Sequence, residues 1–103
     1  MILNDEEFAA YLDARYAEMS PELLERCRVV FDENLKSDMA TLLESHWRYK
    51  GVHWFDTGHG HHGYGTFVRN LLRKAGIYDS ELPQGNWDDY YVQAIENWLG
   101  IRK

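Results

Sequence analysis

Histidine and glycine are concentrated in one short stretch of this chain. Four of the five histidines and five of the eight glycines lie between residues 51 and 65. Imidazole titrates near neutral pH, so it can move a proton or bind a metal. Glycines let backbone N–H groups approach an anion, and the stretch runs into a predicted helix whose amino end favours negative charge. We therefore expect a ligand or partner site here. Its candidate binding residues are His59, His61, His62, Gly63, Gly65, Arg69 and Asn70.

A metal or nucleotide site is a second interpretation of the same stretch. The weak candidate metal ligands are His53, Asp56, His59 and His61. Their spacing matches none of the strong zinc patterns, so the sequence predicts no cofactor and keeps a transition metal as an alternative. Residues 58–63 fit G-x-G-x-x-G, but the βαβ unit that gives this motif its meaning is absent from the sequence pattern.

Each candidate also has an interpretation that involves only packing. In that interpretation the glycines serve tight turns and the histidines contact nearby aromatic rings. A helical projection places Arg69 and Asn70 at the boundary of the inner face of their helix. Arg69 either bridges to Asp88 or Asp89 or holds an anion, and the sequence leaves both open.

One segment resembles a known group of proteins. The residues His61-x-x-x-Gly65-x-x-Val68-Arg69-Asn70, with an aromatic residue before them and an Asp-Asp tract after them, carry the resemblance. The chain is similar over residues 53–99 to a bacterial and phage family of uncharacterised domains. The resemblance implies that His61, Gly65, Arg69 and Asn70 are signature positions, and it implies no activity. The chain departs from that pattern at His62, in the extra glycines at 58–60 and at residues 71–73.

Aromatic residues near the end of the chain suggest contact with another protein. Tyr91 and Trp98 are expected in the core, whereas Trp87 and Tyr90 are predicted to form a partner-contacting patch, because tyrosine and tryptophan dominate interface hot spots. Beside an acidic first half, with eleven acidic and six basic residues in 1–50, such a patch suits a regulator that docks on a basic partner.

The elements that must position these residues are helices. Apolar residues recur every three or four positions over 5–18, 21–36, 38–50, 66–75 and 86–99, with capping residues expected at Asn4, Ser20, Thr66 and Asn86. The pattern leaves open whether 21–50 is one helix or two, and residues 52–55 are predicted to be extended. The prediction is one mostly α domain, residues 1–103, with four or five helices and stops at Gly76 and Gly100.

Composition limits the classes of function. The chain has 17 acidic and 11 basic residues, a net charge of −6, which argues against binding a nucleic-acid backbone. It shows no apolar run long enough for a membrane span or a signal peptide. A single cysteine, Cys27, excludes an internal disulfide, and we expect a cytoplasmic protein.

These observations favour a small interaction or regulatory module with its site at the Gly/His loop and the following helix. The alternative is a small ligand-binding protein or hydrolase, with or without the help of a metal, in which His61 is the acid or base and Arg69 holds an anion. An enzyme is disfavoured because the sequence shows no nucleophile paired with a base. The expected partner is another protein, with a small anionic ligand as the second choice.

Overall fold

The described part of the chain folds into five α-helices, and the prediction of a mostly α fold is confirmed. The computed structural model describes residues 5–48 and 63–102. Its α-helices are α1 (Asp5–Ala17), α2 (Pro21–Asn34), α3 (Met39–Arg48), α4 (Gly65–Lys74) and α5 (Tyr91–Trp98). Short 3-10 helices occupy Lys36–Asp38, Asp79–Glu81 and Trp87–Asp89. No helix in these two stretches is long and apolar enough to cross a membrane.

Local sequence explains how the second helix begins and ends. Ser20 has extended backbone angles, and its hydroxyl accepts a hydrogen bond from the Leu23 N–H at 3.1 Å. Pro21 follows at the first helical position, where its missing N–H costs nothing. After Asn34 the backbone tightens into the 3-10 turn Lys36–Asp38, so residues 21–48 form two helices.

Two glycines end helices as predicted. Gly76 follows α4 with φ of +88°, and Gly100 follows α5 with φ of +82°. Both angles lie in the left-handed region that favours glycine, because it has no Cβ to clash with the backbone. The Ile77 N–H then bonds back to the Leu72 carbonyl at 3.0 Å, which closes the end of α4.

The core surrounds α5, the shortest of the five α-helices. Seven of its eight residues are buried, and it packs against α1, α2 and α4. Its buried polar groups are satisfied: the Gln93 amide donates to the Asp89 carbonyl at 3.0 Å, and Glu96 accepts from Arg102 Nε at 2.9 Å. The other helices contribute one apolar face each, chiefly with Leu12, Leu24, Cys27, Phe31, Leu35, Val68 and Leu72. α5, the last of the described helices in chain order, is therefore at the centre of the core.

Several local predictions are wrong. Thr66 does not cap α4, because the helix already begins at Gly65, and Asn86 caps the 3-10 turn Trp87–Asp89 by accepting from the Asp88 N–H at 2.8 Å. Phe67 and Ala75, expected on the inner face of α4, are exposed. Of the apolar residues expected on that face, Val68 and Leu72 are fully buried and Leu71 is half-buried. The cap at Asn4 and the extended segment 52–55 lie outside the described residues.

Candidate functional site

Arg69 is the best-defined residue of the predicted site, and it is buried. Its Nε lies 3.0 Å from Asp88 Oδ1, and its Nη2 donates to the Thr66 hydroxyl at 2.9 Å. The guanidinium carbon sits 4.8 Å from the centre of the Tyr91 ring, within reach of a cation–π interaction. The residue is only 6% exposed, so its predicted boundary position is wrong, whereas the bridge to Asp88 is confirmed. Arg69 thus joins the first turn of α4 to the segment that precedes α5.

The other described candidates on α4 lie around this cluster. Gly65 is buried in the first turn, whereas Gly63 and Asn70 are exposed. The side-chain oxygen of Asn70, Oδ1, accepts a hydrogen bond from Arg73 Nη1 at 3.1 Å. The remaining ligand-binding candidates, His59, His61 and His62, lie outside the described residues.

A second ion pair fixes the turn after α4. Arg73 binds both carboxylate oxygens of Asp79, at 2.8 Å and 2.9 Å, and the Trp87 N–H donates to Asp79 at 3.1 Å. These bonds hold the pKa of Asp79 down to about 2, chiefly through the hydrogen bonds from Arg73, with Trp87 adding to them and burial opposing them. The same hydrogen bond to Asp79 raises the pKa of Arg73. Asp79 therefore stays ionised and connects α4 to the Trp87 turn.

Trp87 and Tyr90 do not form the exposed patch that the sequence predicted. Both side chains are fully buried. The Trp87 indole N–H donates to the Ile77 carbonyl at 3.0 Å, and the Tyr90 hydroxyl reaches Glu18 at 3.4 Å. Because each polar tip has a partner, the large ring can be buried without leaving a donor unsatisfied. These two aromatic residues build the core.

The residues of a metal or nucleophilic site are not brought together in the described part of the chain. Within residues 5–48 and 63–102, no group of three or more His, Cys, Asp or Glu side chains could hold a metal ion. The candidate ligands His53, Asp56, His59 and His61 lie outside those residues. Cys27 is fully buried, and burial raises the pKa of its thiol to about 12. A thiol in that state is a poor nucleophile.

An apolar surface that the sequence analysis missed lies between α2 and α4. Phe67 is 50% exposed and Val29 is 49% exposed. Beside Val29 is a groove of about 330 Å³, which we call the α2–α4 groove; it is lined by Arg26, Val29, Val30, Glu33, Ala75 and Ile77. A signal for it was present in the sequence, since Val29 is an apolar residue outside the inward stripe of Leu23, Cys27 and Val30.

The groove lies just beyond the end of α4, and apolar residues lead up to it along that helix. Leu71 is half-buried and packs against the core, and it lies one turn before Ala75. At 100° per residue, side chains four positions apart point about 40° apart around the helix axis. Phe67 and Ala75 therefore lie about 40° to either side of Leu71. At the start of the helix the Tyr64 ring packs on Phe67 with centroids 5.8 Å apart. Phe67, Leu71 and Ala75 therefore follow one another along one side of α4, with Phe67 exposed and Leu71 half-buried.

Tyr64, at the start of α4, is hydrogen-bonded to the 3-10 turn that follows α2. Its hydroxyl bonds to Asp38 Oδ2 at 3.0 Å, across the junction with the 3-10 turn. Burial, assisted by the hydrogen bond to Asp38, raises the pKa of Tyr64 well above its usual range. At the other end, Arg26 of α2 forms an ion pair with Glu81 and lies 3.5 Å from the Gly76 carbonyl. These contacts hold α2 and α4 antiparallel with the groove between them.

Comparison with known proteins leaves the family open. No protein-family model, curated protein or solved structure matches the chain. The resemblance built on His61, Gly65, Arg69 and Asn70 stays a prediction. Of these four signature positions, the structure describes three: two are buried in the first turns of α4, and Asn70 faces solvent.

Proposed function

We propose that this chain is a small protein-interaction module whose partner surface consists of the α2–α4 groove and the exposed side of α4. The observation that carries the proposal is the exposure of Val29 in a groove that Val30 and Ile77 also line, together with the exposure of Phe67 on α4. A contiguous exposed set of apolar side chains marks an interaction surface. The proposal places Val29, Phe67 and the groove in one such set. This is the class of function that the sequence favoured, and the proposed surface includes the helix that follows the Gly/His loop.

Charge favours a basic partner over a second copy of this chain. Residues 5–34, which include α1 and α2, contain nine acidic and three basic residues. All three bases are already paired within the fold, Arg15 with Glu18, Arg26 with Glu81 and Arg28 with Glu25. A net charge of −6 opposes self-association. The surface therefore suits a partner helix or loop that presents apolar side chains flanked by Lys or Arg.

The alternative function, with Arg69 as an anion holder, is less well supported. The guanidinium is 6% exposed and already engaged with Asp88, Thr66 and the Tyr91 ring. An incoming anion would have to displace a carboxylate from a buried cation, which costs more than displacing water. We therefore do not advance the hydrolase alternative.

The test compares captured proteins between surface variants. The purified chain is immobilised, and binding proteins are quantified for the wild type, for Val29→Ser combined with Phe67→Ser, and for Tyr78→Ser. Tyr78 is a suitable control because its side chain is 60% exposed and it does not line the groove. A specific partner is retained by the wild type and by Tyr78→Ser and is lost with the double variant.

The partner is then purified and its affinity is measured by calorimetry. We expect the double variant to weaken binding by about tenfold or more, because two apolar contacts are lost. We also expect binding to weaken as salt is added, since the partner is basic. A partner that binds the double variant and the wild type equally well would refute the proposed surface.

A further inference from the structure

A second groove lies on another side of the molecule, where the end of α1, the start of α2 and the end of α5 meet. Its volume is about 370 Å³, within the range of small-molecule sites. Its lining combines the polar side chains Tyr16, Arg28 and Asn97 with the apolar side chains Met19, Pro21 and Leu24. Because Arg28 lies about two turns beyond Pro21 on α2, we place the polar group at one end of the groove and the apolar group at the other. This division is typical of a site for an amphipathic small molecule.

The polar end is held in position by two hydrogen bonds. Arg28 Nη1 donates to Asn97 Oδ1 at 2.7 Å, and Asn97 Nδ2 donates to the Tyr16 hydroxyl oxygen at 2.8 Å. The amide of Asn97 is thus oriented by both neighbours. Because the Tyr16 oxygen is the acceptor, its own hydrogen remains to be donated, and it meets no acceptor within residues 5–48 and 63–102.

Arg28 also keeps donors for a ligand. A guanidinium has five N–H bonds. Three of them are used, one towards Asn97 and two towards Glu25 on the preceding turn. Glu25 is 62% exposed, and an exposed ion pair contributes little to stability, so a ligand can share or replace this partner at small cost.

The apolar end supplies a contact surface for a hydrocarbon body. Met19 is 6% exposed and Leu24 is 7% exposed, so the groove floor is part of the core and does not need to rearrange. Methionine adapts to differently shaped partners because its side chain is unbranched and flexible.

We propose that this groove binds a small organic carboxylate with an apolar body. The carboxylate accepts hydrogen bonds from the Arg28 guanidinium and from the Tyr16 hydroxyl, while the apolar body rests on Met19 and Leu24. A carboxylate is the group that fits best, because two donor side chains, one of them cationic, are both hydrogen-bonded to the Asn97 amide. This site shares no residue with the α2–α4 groove and is independent of the proposed partner surface.

The experiment is a titration of the full chain with 3-phenylpropionate, followed by two-dimensional amide NMR. We expect saturable shifts grouped around residues 16–24 and Asn97, with a dissociation constant of about 1 mM, as suits a ligand of this size. The neutral isostere 3-phenylpropanol should bind about tenfold more weakly, because it offers no charge to the guanidinium.

Two variants and a control assign the binding to this groove. Arg28→Gln should weaken binding about tenfold, and Tyr16→Phe should weaken it severalfold by removing the hydroxyl donor. Lys36→Gln removes the same charge from an exposed position outside the groove and should leave the affinity unchanged. Absence of saturable binding, shifts located elsewhere, or equal weakening by Lys36→Gln would each overturn the proposal.

Discussion

Replacing Asp79 by Asn should destabilise the protein at neutral pH, and the lowered pKa of Asp79 predicts by how much. The carboxylate accepts two bonds from Arg73 and one from the Trp87 N–H, and its pKa falls from 3.8 to about 2. A shift of this size corresponds to at most about 2.4 kcal/mol of stabilisation of the ionised form. Because the Asp79 side chain is 30% exposed, solvent screening reduces the expected loss to about 1–2 kcal/mol.

The pH dependence has a definite sign. The pKa of Asp79 is lower in the folded state, so its contribution is complete above about pH 4 and is lost as pH falls towards 2. The difference in stability between the wild type and Asp79→Asn should therefore shrink across that window. In the neutral range it should be constant.

The assay is urea denaturation of both proteins at pH 7 and at several values between pH 4 and pH 2, followed by tryptophan fluorescence. Glu6→Gln is the control, since Glu6 is an exposed carboxylate on α1. A double-mutant cycle with Arg73→Met should give a coupling of about 1 kcal/mol between the two side chains. A loss below about 0.3 kcal/mol at pH 7, or a difference that does not change down to pH 2, would refute the reasoning.

Three further perturbations test other contacts of the fold. Arg69→Met should lower the free energy of unfolding by about 1–2 kcal/mol in urea denaturation, since it breaks the bond to Asp88; a change below about 0.5 kcal/mol would show that the pair does not anchor α4. Cys27 should resist a disulfide reagent in the native protein and react only as fast as the protein unfolds, because it is fully buried with its pKa raised to about 12; rapid native labelling would contradict this. Gly76→Ala should cost about 1 kcal/mol in the same denaturation assay because of its φ of +88°, whereas Gly63→Ala, with open space around the added methyl group, should be nearly neutral; equal effects would refute the assignment of strain.

Helix positions were predictable from the sequence because capping residues and apolar spacing act locally. Ser20 with Pro21 marked the start of α2, and Gly76 and Gly100 marked two helix ends. These signals depend on the backbone of a few neighbouring residues, so no tertiary information is needed to interpret them.

The candidate site was less predictable because burial depends on partners far apart in sequence. Trp87 and Tyr90 suggested an exposed patch by residue type, yet each finds a polar partner in the fold, and such pairing is invisible in the sequence. Arg69 was expected at a boundary, but its neighbours Asp88 and Tyr91 come from the next helix and cover it. Apolar spacing correctly placed Tyr91 and Trp98 of α5 in the core, but it did not predict that Gln93 and Glu96 are buried too, because a helix that is surrounded has no solvent-facing side.

The central place of α5 has a consequence for synthesis of the protein. A ribosome produces α1, α2 and α4 before the helix against which all three pack. Short isolated helices are marginal in water, so the emerging helices lack a stable docking partner until α5 follows. We therefore expect nascent chains arrested before residue 91 to remain sensitive to protease, and acquisition of protease resistance to be abrupt once α5 has left the ribosome.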